Sequence, residues 1–430
     1  MFDHIALPQL QAVLLFAAAY GFIVSEKINK TLIALLGAGI LMAFHIVPSE
    51  KVIHHIDANV IFLLVFMMII VRITEKSGLF EWLAVWAAQK VEAHPVKLMI
   101  ALFFVTGIAS AFLDNVTTIL LISPITILIA MQMEISPVPF LITQVLASNI
   151  AGTATLIGDP PNIMIGSAAH LSFMDFIVNL TPIIALQMIL ISSLLFFFFR
   201  KKIHTSAINR ARIMEMDKSR MIRDVPLLKK SLTVIFFVIT GFVFHGILEL
   251  EASIIALIGA VILAIWTKIE PEELFEKVEW TTILFFIGLF VMVGGLVEVG
   301  VIKKISLLFI NSCGHNLALL SQVLIWSTGI LSGIVDNIPL VATFIPVIKD
   351  MSAVLGSNQI EPLWWSLSLG SCLGGNLTAI GASANVIMIS TAKKSNVQIT
   401  FIEFLKYGIP ITLLTLLMSS VYVYLRYYCF

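Results

Sequence analysis

The sequence predicts an all-α polytopic membrane protein made of two inverted repeats of five spans each, with re-entrant hairpins and broken helices. Three observations predict it. Hydrophobic residues make up 59% of the 430 residues and charged ones 12%, the mean hydropathy is +1.03, and apolar runs such as "LQAVLLFAAAYGFIV" and "TPIIALQMILISSLLFFFF" recur along the chain. These runs have the length of membrane-crossing helices, about 17 to 25 residues, whereas a barrel shows alternating segments of about ten. The second observation is internal duplication. "KTLIALLGAGILMAF" from residue 30 matches "ASIIALIGAVILAIW" from 252, Asp57 matches Glu279, Gly78 matches Gly300, and "DNVTTILLISP" from 114 matches "DNIPLVATFIP" from 336, all 222 residues apart. At an offset of 223, "GTATLIGDPPN" from 152 falls on "GNLTAIGASAN" from 375. The third is charge. With the N-terminus outside, 21 of the 26 Lys and Arg residues fall in cytoplasmic segments, leaving Lys51, Lys303, Lys304, Lys349 and Arg426 outside.

Taken in order, the first half is expected to hold helices at 8–24, 31–47 and 58–74, an interfacial segment at 77–92, a hairpin at 97–132 with its tip at Asp114 and Asn115, a broken span at 137–170, and a helix at 175–199. A hairpin that enters and leaves on one side leaves five crossings, so the second half starts from the opposite face. The first repeat then covers 1–199, a basic cytoplasmic linker 200–228, and the second repeat 229–430. The acidic start "MFDHIALPQL", with no small-residue cleavage site after the first apolar run, reads as a retained helix rather than a signal peptide. The linker reads as a topogenic loop, and Trp364 and Trp365 fit an interfacial belt. Net charge is zero, which gives no footprint for nucleic acid, and the three cysteines offer neither a disulfide framework nor a metal spacing.

The breaks carry the chemistry. Pro160 and Pro161 supply no amide hydrogens, and Gly158 permits dihedrals closed to other residues, so the span from 137 must break there; Gly374, Gly375 and Gly381 do the same in the second half. Non-helical backbone at membrane depth survives only buried in protein or lining a wet cavity, and half-helix ends present free N–H and C=O groups to ions. Paired breaks in the two halves point to a transporter binding site. The candidate ion- or substrate-binding residues are Asp114, Asn115, Thr117, Thr118, Asn149, Thr153, Thr155, Gly158, Asp159 and Asn162 from the first repeat, and Asp336, Asn337, Thr343, Asn376, Thr378, Gly381, Ser383 and Asn385 from the second. Asp114, Asp336 and Asp159 also suit the N-caps of the helices they precede. Buried carboxylates at such depth default to function. No lysine or arginine is expected beside them.

"AFLDNVTTILLISPITI" with "SNIAGTATLIGDPPNIMIGS", and "DNIPLVATFIPVI" with "LWWSLSLGSCLGGNLTAIGASANVIMI", resemble the arsenite-permease and NhaD-type group of the ion transporter superfamily, most closely its P-protein-like branch, over about residues 10 to 425. The resemblance implies inverted repeats whose hairpins and broken helices move as a transport domain, elevator-type alternating access, and a homodimer. The double-proline element is unlike that of the arsenite pumps.

A secondary active transporter accounts for the repeat, the twin breaks and the midplane acids together. Proton-linked exchange is favoured, with Na+ against H+ ahead of an arsenite or antimonite permease or a small-anion or dicarboxylate permease; the alternative class is an ion channel. An enzyme is not expected, since no nucleophile with its base appears, and no P-loop supports primary pumping. The expected partners are a small ion or anion and the lipid bilayer. No cofactor or bound metal is expected beyond a coupling H+ or Na+, in a multi-pass protein of a bacterial inner membrane.

Overall fold

The structure is a computed structural model that describes residues 7–25, 27–276, 278–356 and 359–429. The acidic start through Asp3 and the Lys277 of the charge pattern lie outside the described residues. Every regular element among the described residues is helical. The first half runs α1 (Leu7–Ser25), α2 (Lys30–Ala43), α3 (Ala58–Glu75), α4 (Leu79–Lys90), α5 (Pro95–Phe112), α6 (Asn115–Gln132), α7 (Val138–Gly152), α8 (Pro160–Ala169) and α9 (Thr181–Phe199). The second runs α10 (Val225–Leu248), α11 (Ala252–Thr267), α12 (Trp280–Glu298), α13 (Val301–Ser312), α14 (Leu317–Ser332), α15 (Asn337–Leu355), α16 (Glu361–Gly374), α17 (Ser383–Lys394) and α18 (Phe401–Tyr424).

Local chemistry sets these boundaries. Asp57 caps α3 by accepting from the Val60 amide at 3.2 Å, and prolines occupy the first turns of α5, α7, α8 and α16 where their missing N–H costs nothing. Gly78 and Gly300 precede α4 and α13 in the left-handed region, at φ +84° and +73°, a conformation that glycine adopts without strain. Eight helices among the described residues are long and apolar enough to cross a membrane, and α13 with α14 would add a ninth span bent by 120°. Apolar side chains also face outward, as at Leu36, Phe236, Ile247 and Ile265, which suits a surface bathed in lipid.

Within each half the hairpin's first arm packs on the helix before the break, α5 on α7 and α14 on α16. Between halves, α2 packs on α12, α3 on α11, α6 on α17 and α8 on α15. The last two pairings bring each hairpin against the other half's broken helix.

Several expectations are revised. The helix expected at 31–47 ends at Ala43, where His45 turns the chain at φ 53°. The one expected at 175–199 is two helices, Phe173–Asn179 and α9, because Pro182 lacks the amide needed to continue the ladder. The 77–92 segment buries Phe80, Ala84, Val85, Ala87 and Ala88 against neighbouring helices. Trp364 and Trp365 are buried rather than belted; Trp365 meets Phe176 edge-on and donates to Glu361.

Candidate functional site

The N-termini of α6, α8, α15 and α17 all line one cavity beside the two breaks. Asp114 caps α6 by accepting from the Thr117 amide at 2.9 Å, and Asp336 caps α15 by accepting from the Ile338 amide at 3.2 Å. Asp159 precedes α8 but makes no capping bond. Its carboxylate accepts instead from Asn337 Nδ2, at 3.2 and 3.3 Å, across the boundary between the halves.

The break segments are braced in the same way twice. Asn162 Nδ2 donates to the carbonyls of Thr153 and Thr155 at 3.0 and 2.9 Å; Asn385 Nδ2 donates to those of Gly375 and Thr378 at 2.8 and 2.9 Å. The Thr155 hydroxyl ties its break to the Ala111 carbonyl and the Thr378 hydroxyl ties its own to Gly333. Ser110 and Ser332 hold the Ser148 and Ser371 carbonyls at 2.8 and 2.6 Å. Asn162 Oδ1 accepts from Ser368 at 2.6 Å. Asn162, Thr155 and Thr378 are therefore braces of the unwound backbone, which satisfy groups that would otherwise be orphaned at membrane depth. Thr153 likewise spends its hydroxyl on the Asn149 carbonyl at 2.8 Å.

The glycines act differently from expectation. Neither Gly158 nor Gly381 has a positive φ. A β-carbon on Gly158 would lie 2.5 Å from the Gly152 carbonyl oxygen, one on Gly381 2.8 Å from that of Gly375, and one on Gly374 2.3 Å from that of Gly329. Close backbone approach, rather than dihedral freedom, demands glycine at these positions.

At the centre runs a chain of amides. Asn115 Nδ2 donates to Asn149 Oδ1 at 3.1 Å, and Asn149 Nδ2 donates to Asn376 Oδ1 at 2.9 Å and Asn385 Oδ1 at 3.0 Å. All four side chains are buried, as are Thr117 and Thr118. The Thr118 hydroxyl has no protein partner among the described residues. Cys372 is buried within hydrogen-bonding reach of Asp159 and lies 3.7 Å from Asn162 Oδ1. Thr343 stands apart from this cluster, bonded to the Pro339 carbonyl and, at 3.0 Å, to Tyr20.

Beside the cluster lies a cavity of about 330 Å³ lined by Lys30, Asp114, Pro160, Glu279, Asp336 and Ser383 among others. Here the expectation of no basic residue fails. Lys30 Nζ is 2.7 Å from Asp336 Oδ2 and 2.7 Å from Ser383 Oγ, and Ser383 donates to the same carboxylate at 2.6 Å. Glu279 is also new to the site and pairs with Arg72 at 3.2 Å. Lys30 lies 306 residues from its partner in sequence; the one available signal was a lysine at the start of an apolar helix whose match in the other half is Ala252.

Comparison with known proteins places this geometry. Residues 20–370 match the citrate transporter family. Over 97% of its length the chain is 41% identical to an uncharacterized transporter of Mycobacterium bovis, covering 98% of that protein, and 30% identical to one of Synechocystis, again covering 97% of each. It is 30% identical to the human P protein over 96% of this chain, which spans 59% of that protein. Among solved structures it resembles the Alcanivorax borkumensis YdaH transporter, with a TM-score of 0.59 at 14% identity and 97% coverage of both chains. It also resembles Neisseria gonorrhoeae MtrF, with a TM-score of 0.54 at 12% identity, over 99% of this chain and 96% of that one. An all-helical, integral multi-pass chain with this match is a membrane transporter rather than an enzyme, and it belongs to the citrate transporter family.

Proposed function

We propose that this transporter is a secondary active carrier that exchanges a small cation for protons, Na+ for H+, by elevator-type alternating access in a homodimer. In this reading 1–199 and 229–430 are inverted repeats joined by a cytoplasmic linker. The hairpins and broken helices, α5–α8 and α14–α17, form the moving part, and α1–α3 with α10–α12 form the frame. The membrane is a bacterial inner membrane, and the branch is the NhaD-type, P-protein-like one.

The observation that carries the cation reading is the balance of charge. Asp114, Asp336 and Glu279 face the cavity, where Lys30 pairs with Asp336 and Arg72 with Glu279; Asp159 sits behind it, buried against neutral amides, so four carboxylates meet two cations. A surplus of carboxylates attracts cations, and oxygen ligands are what alkali cations require. A buried carboxylate can bind either a proton or a cation, and that competition couples the two fluxes.

The observations favouring a small anion are Lys30 and the four helix N-termini that line the cavity, each of which draws negative charge, together with the citrate of the family's description. Purified protein in liposomes separates the two readings. Cation exchange predicts a sodium-driven change of internal pH across pH 6 to 9. Uptake of citrate, a dicarboxylate or arsenite with no such change would replace it by the permease reading.

A further inference from the structure

Lys30 belongs to a rigid pair of helices. The neighbouring Thr31 hydroxyl donates to the Thr281 carbonyl at 2.7 Å, and α2 approaches α12 so closely that a β-carbon on Gly288 would lie 2.7 Å from the Ala34 carbonyl carbon. Asp336 and Ser383 belong to the other part of the protein, at the starts of α15 and α17. The Lys30 ammonium bridges the two at 2.7 Å to each oxygen, with the Phe285 ring 4.9 Å away. A carboxylate, a hydroxyl and an aromatic face are ligands that would equally accept a free monovalent cation. A second strap runs alongside: the Tyr20 hydroxyl on α1 donates to the Pro339 carbonyl at 2.5 Å and meets Thr343 at 3.0 Å.

Neither strap is duplicated. At the repeat offset of 222, Tyr20 matches Phe242 and Lys30 matches Ala252, which carry no hydroxyl and no ammonium. Frame and moving part pack on each other in both halves, α3 on α8 and α12 on α15, but these two hydrogen-bonded straps start from the first repeat's frame alone.

We propose that Lys30 is a tethered competitor for a monovalent cation at Asp336 and Ser383. An arriving cation displaces the ammonium, and that displacement releases α15 and α17 from the α2–α12 frame on this face. The proposal rests on the cation reading above. It also makes the carrier asymmetric: the empty carrier rests with the moving part held at the Lys30 face and the cavity open there, and among the described residues neither strap has a counterpart from the second repeat.

Two measurements test it. In inside-out vesicles, an impermeant maleimide reads the openness of the cavity through a cysteine at Val386, with modification scored at that position by mass spectrometry. Sodium, against choline, is expected to slow modification about tenfold, roughly the equilibrium weight of one charge-assisted hydrogen bond. Lys30→Gln should slow it by a similar factor without sodium, and Asp336→Asn added to Lys30→Gln should slow it no further. In purified protein, calorimetric titration with sodium chloride should show Lys30→Gln binding sodium about tenfold more tightly, because its competitor is gone. Lys30→Met serves as the second variant if Lys30→Gln is not monodisperse. Unchanged modification and unchanged affinity in the lysine variants would overturn the proposal. Slowed modification in the variants, with no sodium binding to any form, would leave a strap but overturn the competitor and, separately, the cation reading.

Discussion

Asn149 holds Asn376 and Asn385 at once, its single Nδ2 lying 2.9 and 3.0 Å from their side-chain oxygens. One amide from the first half thus serves two from the second, and Asn115 completes the chain on its own side at 3.1 Å. Asn149→Ala strands two buried acceptors. Leaving a buried polar group unpaired costs about 1–3 kcal/mol, so a lowered unfolding midpoint in detergent and abolished transport are expected together. Asn115→Ala and Asn376→Ala remove one end of the chain each and should abolish transport with a smaller loss of stability. Native transport rates in all three would move the site elsewhere.

The two left-handed glycines separate backbone strain from crowding. A β-carbon on Gly78 would lie 1.8 Å from the Met221 carbonyl oxygen, whereas on Gly300 it would meet only the tip of Gln9 at 3.9 Å. Gly300→Ala should therefore cost the conformational strain alone, about 1 kcal/mol. Gly78→Ala must in addition push away the linker that packs there and is expected to lower the yield of folded protein sharply. Thermal unfolding of the two variants side by side checks the difference.

Asp159 is the fully buried carboxylate of the cluster, and Asp159→Asn keeps its shape while removing its capacity to carry a proton. In the exchange reading, sodium-driven pH change in proteoliposomes across pH 6 to 9 should disappear while the unfolding midpoint stays near that of the native protein. Retention of the full pH response would assign proton coupling to another acid, with Asp114 next to be tested.

His94 immediately precedes α5. Burial first, and then Lys97 and Arg210, hold its imidazole below the ordinary histidine value. The folded chain therefore binds fewer protons here than the unfolded chain does. This contribution to stability is complete above about pH 6.5 and is lost as pH falls through the unfolded value. His94→Gln should flatten the acid limb of the unfolding midpoint between pH 7 and 5.

The hairpin tips and the breaks were legible because their signals are local: a carboxylate followed by an asparagine inside an apolar run, and prolines or glycines where a helix should continue. Local chemistry also located the caps at Asp114 and Asp336. It could not divide labour among the polar residues beside the breaks. Asn162 and Asn376 look alike in sequence, yet one braces its own backbone and the other reaches Asn149 across the halves. Lys30 was hidden for a related reason, since a lysine between two apolar runs reads as a topogenic charge until folding brings Asp336 to it. The glycines of the breaks were located correctly and explained wrongly, because sequence shows flexibility and only packing shows how near two backbones come.

The shortness of α2 and α11 has a consequence for the surrounding lipid. With 14 and 16 residues, at 1.5 Å per residue, they are about 21 and 24 Å long, against a hydrocarbon thickness of about 30 Å. Lipid beside them must thin or tilt its chains to meet their ends, at a cost of fractions of a kcal/mol for each ångström of mismatch. Where these two helices meet lipid, the bilayer is expected to be drawn in to a narrower waist than beside α10 and α18, which have 24 residues each. Reconstitution in phosphatidylcholines of increasing acyl length should show transport fastest in the thinner bilayers and falling as the chains outgrow the waist.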